Sequence, residues 1–147
     1  MDAEKTDLGT SIGLLVLRLG FGGYMAAHGW GKVQMVLAGA FDKFGDPIGL
    51  GNKLSLILAA GAEFGCALLV LVGLLTRLAA VPVAFTMGVA AFLVHTNDPW
   101  MMHAAGASKE PALLFLSAFL ALAFTGAGRF SLDAVLGPRW RARKGQG

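Results

Sequence analysis

The chain has 147 residues, 56% of them apolar and only 14% charged, with a mean hydropathy of +0.66. An average soluble domain is about 25% charged, so this composition excludes an ordinary soluble protein, and the length suits one small bundle rather than two domains. The net charge of +3 does not point to nucleic acid, because the basic residues lie at segment ends and in the tail, where membrane proteins carry them.

The N-terminal stretch Met1–Asp7 is mixed in charge and has no basic leader region. No cleavage pattern follows the first apolar run, which therefore reads as a retained helix and not a signal peptide. Apolar segments predict spans over 12–28, 54–75, 78–95 and 110–126, followed by a basic tail over 138–147. A membrane-spanning helix needs ~20 apolar residues, and no open sheet edge is tolerated in hydrocarbon. The expected fold is all-α, an integral membrane four-helix bundle forming one transmembrane domain over 1–147. No internal repeat or low-complexity stretch interrupts it.

Breaks between the segments carry local signals. Thr76 and Arg77 predict a tight turn between helices two and three, with Thr76 capping the third helix and Pro82 falling near its first turns. Ser108, Glu110 and Pro111 read as the start of helix four. The longest connection, 28–53, contains Met35, Val36, Leu37, Phe41 and Phe44, so part of it is expected in the interface or re-entrant. Four spans put both termini on one side. That side holds Lys5, Arg77, Arg129, Arg139, Arg141, Arg143 and Lys144 against Lys32, Lys43, Lys53 and Lys109 opposite, which favours cytoplasmic termini. Trp30, Trp100 and Trp140 fall near predicted boundaries, as an aromatic belt would.

Two charges interrupt the apolar segments: Arg18 in the first and Glu63 in the second. Charge at the bilayer centre costs at least ~2.5–3.5 kcal/mol on insertion scales, so such residues are usually paired. Counted from the expected far ends of their helices, Arg18 lies ~15 Å deep and Glu63 ~13 Å deep at 1.5 Å per residue, and they are expected to pair. Such a pair is either a proton or ligand site or a structural ion pair that fixes helix register. Gly61-xxx-Gly65 is a small-xxx-small pattern that suits close helix contact. Tyr24, His28 and Lys32 recur at i, i+4 and i+8, on one face if the first helix continues that far. His95, Asp98, His103 and Glu110 collect at the same end. Their spacings match no metal motif, and no metal is expected. The lone Cys66 excludes an intrachain disulfide and reads as a small packing residue.

The pattern resembles the DoxX family of small four-helix bacterial membrane proteins. The residues that carry the resemblance are Arg18, the HGWGK of His28–Lys32, the AGAEFG around Glu63, LVGLLTRLAA over Leu71–Ala80, the helix opened by Glu110, and GAGRFSLD over Gly126–Asp133. The last is similar to a Gly-Pro-Gly-Arg-x-Ser-Leu-Asp signature, with Ala127 in place of proline. Gly126 and Gly128 are expected to end the helix and Ser131 to cap a short turn. The resemblance implies a multi-pass protein of the bacterial inner membrane, associated with a membrane oxidoreductase and with quinone chemistry.

Combined with the polar residues, it implies a subunit that binds a quinone or a similar lipid-like ligand, with Arg18, Tyr24, His28, Lys32, Glu63, His95 and Glu110 as ligand or proton-pathway candidates. The expected partners are membrane lipids, redox subunits that supply the electrons, and a second copy of the chain. Two alternatives stand beside it: a non-enzymatic scaffold, and a small-solute or proton pathway lined by Arg18, Glu63 and the histidines.

Overall fold

The computed structural model describes residues 7–102 and 106–137. His103, Trp140 and the basic tail lie outside those residues. Among the described residues four longer helices run up and down, α1 Leu8–Leu37, α2 Asn52–Val72, α3 Thr76–Val94 and α4 Glu110–Thr125, with a short helical segment over 132–137 after them. The first three are long and apolar enough to cross a membrane, and α4 is a shorter apolar helix of 16 residues. Its most extensive partner is α3.

Helix α1 departs most from expectation. It opens where the Asp7 carboxylate accepts the Gly9 N–H at 3.1 Å. It then runs 30 residues, about ten past the point where the apolar run fades. His28, Gly29, Gly31 and Lys32 lower the hydropathy but contain no helix breaker. The breaker is Gly39, at φ +66°. There Ala40 N–H bonds Met35 O at 3.0 Å and Gly39 N–H bonds Val36 O at 3.1 Å, the two hydrogen bonds of a Schellman end. Met35, Val36 and Leu37 are therefore helical, not a re-entrant loop. Only 38–51 connects the helices, with a 3-10 turn at Phe41–Lys43 and a further turn at 47–48. Within it the Asp46 carboxylate accepts Leu50 N–H, Gly51 N–H and the Ser55 hydroxyl at 2.9, 2.7 and 2.8 Å, which ties the loop onto α2.

Helix α2 ends in the same way as α1. Gly73 sits at φ +75°, with Leu74 N–H on Leu69 O at 2.9 Å. Leu75, at φ +50°, completes the turn. Thr76 does not cap α3. The Asp133 carboxylate does so from 57 residues downstream, accepting Leu75 N–H at 2.7 Å and Thr76 N–H at 3.0 Å. Pro82 lies inside α3, in its second turn.

The core is small and tightly fitted. Met25, Val70, Val83, Phe119 and Leu122 are fully buried, and Phe21 meets Phe115 edge-on at 5.6 Å. Close backbone approach falls on α1: a Cβ on Gly29 would lie 2.4 Å from the Glu63 carbonyl carbon, and one on Gly22 would lie 3.4 Å from Leu71. Gly61 and Gly65 meet nothing within 4 Å and face outward instead. Three helices carry a wide π turn, at Arg18–Gly22, Gly61–Cys66 and Ala90–Val94.

Candidate functional site

Arg18 and Glu63 lie on π turns, are almost fully buried and do not meet. The depth argument fails because α1 is longer than its apolar run. Counted from its true far end at Leu37, Arg18 is 37 − 18 = 19 residues deep, whereas Glu63 is 63 − 52 = 11 residues from the start of α2. At 1.5 Å per residue these are ~28 and ~17 Å.

Arg18 is spent on backbone. Its Nε donates to Val70 O at 3.0 Å and its Nη2 to Leu71 O at 3.2 Å. Its Nη1 donates to Ala127 O at 2.6 Å and to Phe130 O at 2.9 Å. Val70 and Leu71 belong to the last turn of α2, where carbonyls lack intrahelical donors and the helix dipole favours a cation. Ala127 and Phe130 lie in the segment after α4. The guanidinium fork thus staples three chain segments together. A Cβ on Gly73 would come within 2.8 Å of that guanidinium, so only glycine fits there. The GAGRFSLD stretch closes the same end: Ser131 Oγ accepts Ala134 N–H at 3.2 Å, the expected cap, and Asp133 secures the α2–α3 turn.

The Glu63 end is built differently. The Lys32 ammonium donates to Glu63 Oε2, and His28 Nε2 stands 3.6 Å from the same oxygen. His28 and Lys32 lie one turn apart on α1, and Gly29 between them brings that helix against the backbone of Glu63. Trp30 packs on Phe64 at 5.3 Å beside the contact.

The pair opens onto a cavity of about 650 Å³ whose walls come from all four helices and both far-end connections. His28, Lys32, Glu63 and His95 line it, so four of the seven candidates share one space. The other three do not. Arg18 is at the opposite end, Tyr24 is 75% exposed and faces outward, and the Glu110 carboxylate accepts Met102 N–H at 2.8 Å. His95 Nδ1 is 2.6 Å from Asp98 Oδ2. Lys109 Nζ donates to Thr96 O at 2.9 Å and lies over Trp100, which ties the α3–α4 connection down.

The remaining walls are mainly apolar, with Met25, Leu58, Phe85, Met87 and Phe115 among them. Sequence reasoning missed the polar wall residues Ser55, Thr86 and Ser108. Ser108 Oγ is buried and has no hydrogen-bond partner among the described residues. Its place before Glu110-Pro111 marked it as a helix-start signal, and nothing local marks it as a cavity residue. At the rim, the Ser55 hydroxyl and then the loop N–H groups hold the Asp46 carboxyl below the usual carboxylate range.

Comparison with known proteins fits this arrangement. The protein-family model described as DoxX matches residues 13–96. The chain belongs to the DoxX family. The match takes in Arg18, His28, Lys32, Glu63 and His95, so Arg18 and Glu63 both lie within the family region. Inner membrane protein YqjF of Escherichia coli (strain K12) is 33% identical over 130 residues, covering 88% of this chain and 95% of its own. No solved structure matches. With its apolar helices, this DoxX protein is a multi-pass protein of the inner membrane.

Proposed function

We propose that this DoxX-family protein binds a membrane-soluble amphiphile with a hydrogen-bonding ring as head group, a quinone or a close chemical analogue, and serves as the ligand-holding subunit of a membrane oxidoreductase. One observation carries the reading: buried Glu63, paired with half-buried Lys32, opens onto an apolar cavity of about 650 Å³. Ligand sites are typically ~300–1,000 Å³, mostly apolar, with a few polar groups that fix orientation.

Lys32 and Ser108 can donate to ring carbonyls, and His28 and His95 place imidazole nitrogens on the same wall. The contact with Glu63 fixes where the Lys32 side chain points. Electrons for any reduction come from a partner subunit. The pathway alternative loses support as drawn, because Arg18 is bonded to four carbonyls at the other end of the bundle.

Native mass spectrometry with lipid extraction on gently solubilised protein tests the reading. A quinone-like molecule should co-purify with the wild type and be lost from the Lys32→Met/Glu63→Gln double variant. Bulk phospholipid alone in both proteins would refute it and favour the scaffold.

A further inference from the structure

Beyond the head-group cavity lies a second space. It is an apolar groove of about 470 Å³ between α3 and α4, walled by Val81, Gly88, Leu93, Leu116 and Leu120 among others. Phe85 and Val89, one helical turn apart, line both the cavity and the groove. The cavity has a way out toward them. α2 and α3 pack together from Gly61 to their turn but separate over Asn52–Ala60. Leu58 and Phe85, on the two sides of that gap, line the cavity and are 51% and 64% exposed. A ligand entering from the lipid would pass between apolar side chains, and its trailing part would cross the Phe85–Val89 ridge.

We infer that the groove receives the apolar tail of the ligand whose head group occupies the cavity, which makes that ligand a long-tailed amphiphile. This rests on the proposed cavity reading and adds the tail to it. The gain is not hydrophobic, because the tail leaves hydrocarbon either way. It comes from dispersion contacts with a shaped wall. A net surplus of about ten carbon–carbon contacts over those in fluid hydrocarbon amounts to roughly a tenfold preference for a long tail over a short one.

Gly88 provides the test. It lines the groove, and a Cβ there would meet nothing within 4 Å. Gly88→Leu therefore fills the groove without disturbing the core, and leucine favours the helix more than glycine does. Affinity is measured in detergent for two ubiquinones, one with a single isoprene unit and one with a long isoprenoid tail. The wild type should prefer the long tail by about tenfold. Gly88→Leu should abolish that preference, Gly88→Ala should reduce it, and neither should change affinity for the short probe.

If the short probe binds but the wild type shows no preference, or Gly88→Leu preserves it, the groove inference is wrong while the cavity reading stands. An unchanged preference together with a change in oligomeric state would assign the groove to a second copy of the chain. Failure of the short probe to bind would overturn the cavity reading, and the groove inference with it.

Discussion

Arg18 and Glu63 are both ionisable side chains sunk in apolar helices, and their surroundings are opposite in kind. Arg18 has four backbone carbonyls within 3.2 Å and glycine pressed against its guanidinium. Among the described residues its hydrogen bonds all go to backbone carbonyls, two of them in the last turn of α2. Glu63 has a lysine on one oxygen, a histidine nearby and a cavity of about 650 Å³ beside it. A charge inside a membrane protein is therefore not a functional site by itself. Arg18 has its hydrogen-bonding capacity consumed by backbone, whereas the proposed function rests on the charge pair that faces open volume.

Arg18→Leu should be the most damaging single change. Hydrogen bonds to a charged group contribute ~1.5–3 kcal/mol each. Losing several of them, with carbonyls left bare, should cost at least ~4 kcal/mol, read as a collapse of thermal stability in detergent. Arg18→Lys should recover only part of this, since one ammonium cannot reproduce the fork. A mild effect of Arg18→Leu would mean that the staple is dispensable.

Glu63→Ala should come next. It leaves the half-buried Lys32 ammonium without its carboxylate, which should cost somewhat less than the ~3–5 kcal/mol typical of a fully buried pair. The double variant Lys32→Met/Glu63→Ala should recover much of that loss, whereas Arg18→Ala/Glu63→Ala should recover none. Equal melting temperatures for the single and the Lys32 double variant would show that the pair is not coupled.

Gly29→Ala follows, because its methyl would meet Glu63 backbone at 2.4 Å. Overpacking of this kind costs about 1–3 kcal/mol. Crosslinking or distance measurements should report α1 and α2 moving apart at that level, and an unchanged separation would place the crossing elsewhere.

The smallest effect concerns Asp46 at the cavity rim. Its carboxyl is held below its ordinary range by Ser55 and the loop N–H groups. A depressed folded value contributes stability that is present above the unfolded value, ~3.9, and lost as pH falls through the folded one. Hydrogen exchange over 44–51 should therefore be insensitive to pH in its protection near neutrality and rise in strong acid. Asp46→Asn should remove that acid limb. Loosening that begins near pH 6 would implicate another group.

Much of the fold was legible in the sequence. Hydropathy located four helices, and Pro111, Gly126 and Ser131 marked real boundaries. The far end of α1 was not located, because polarity was read as the end of the helix although only Gly39 breaks it. That single error carried into the depth count and produced the false Arg18–Glu63 pair. The i, i+4 pattern of His28 and Lys32 held the better clue, since it required the helix to continue. Asp133 as the cap of α3 and Ser108 as a cavity wall were out of reach, because both depend on where distant segments return. Sequence fixes the position of a residue along its helix far better than the face it turns to a neighbour.

The most direct test of this contrast is the shift in melting temperature on adding a short-tailed ubiquinone to wild-type protein and to Lys32→Met/Glu63→Gln. The wild type should be stabilised in a saturable manner, while the double variant should fold and show no shift. An equal shift in both proteins, or none in the wild type, would contradict the assignment of function to the Glu63 end.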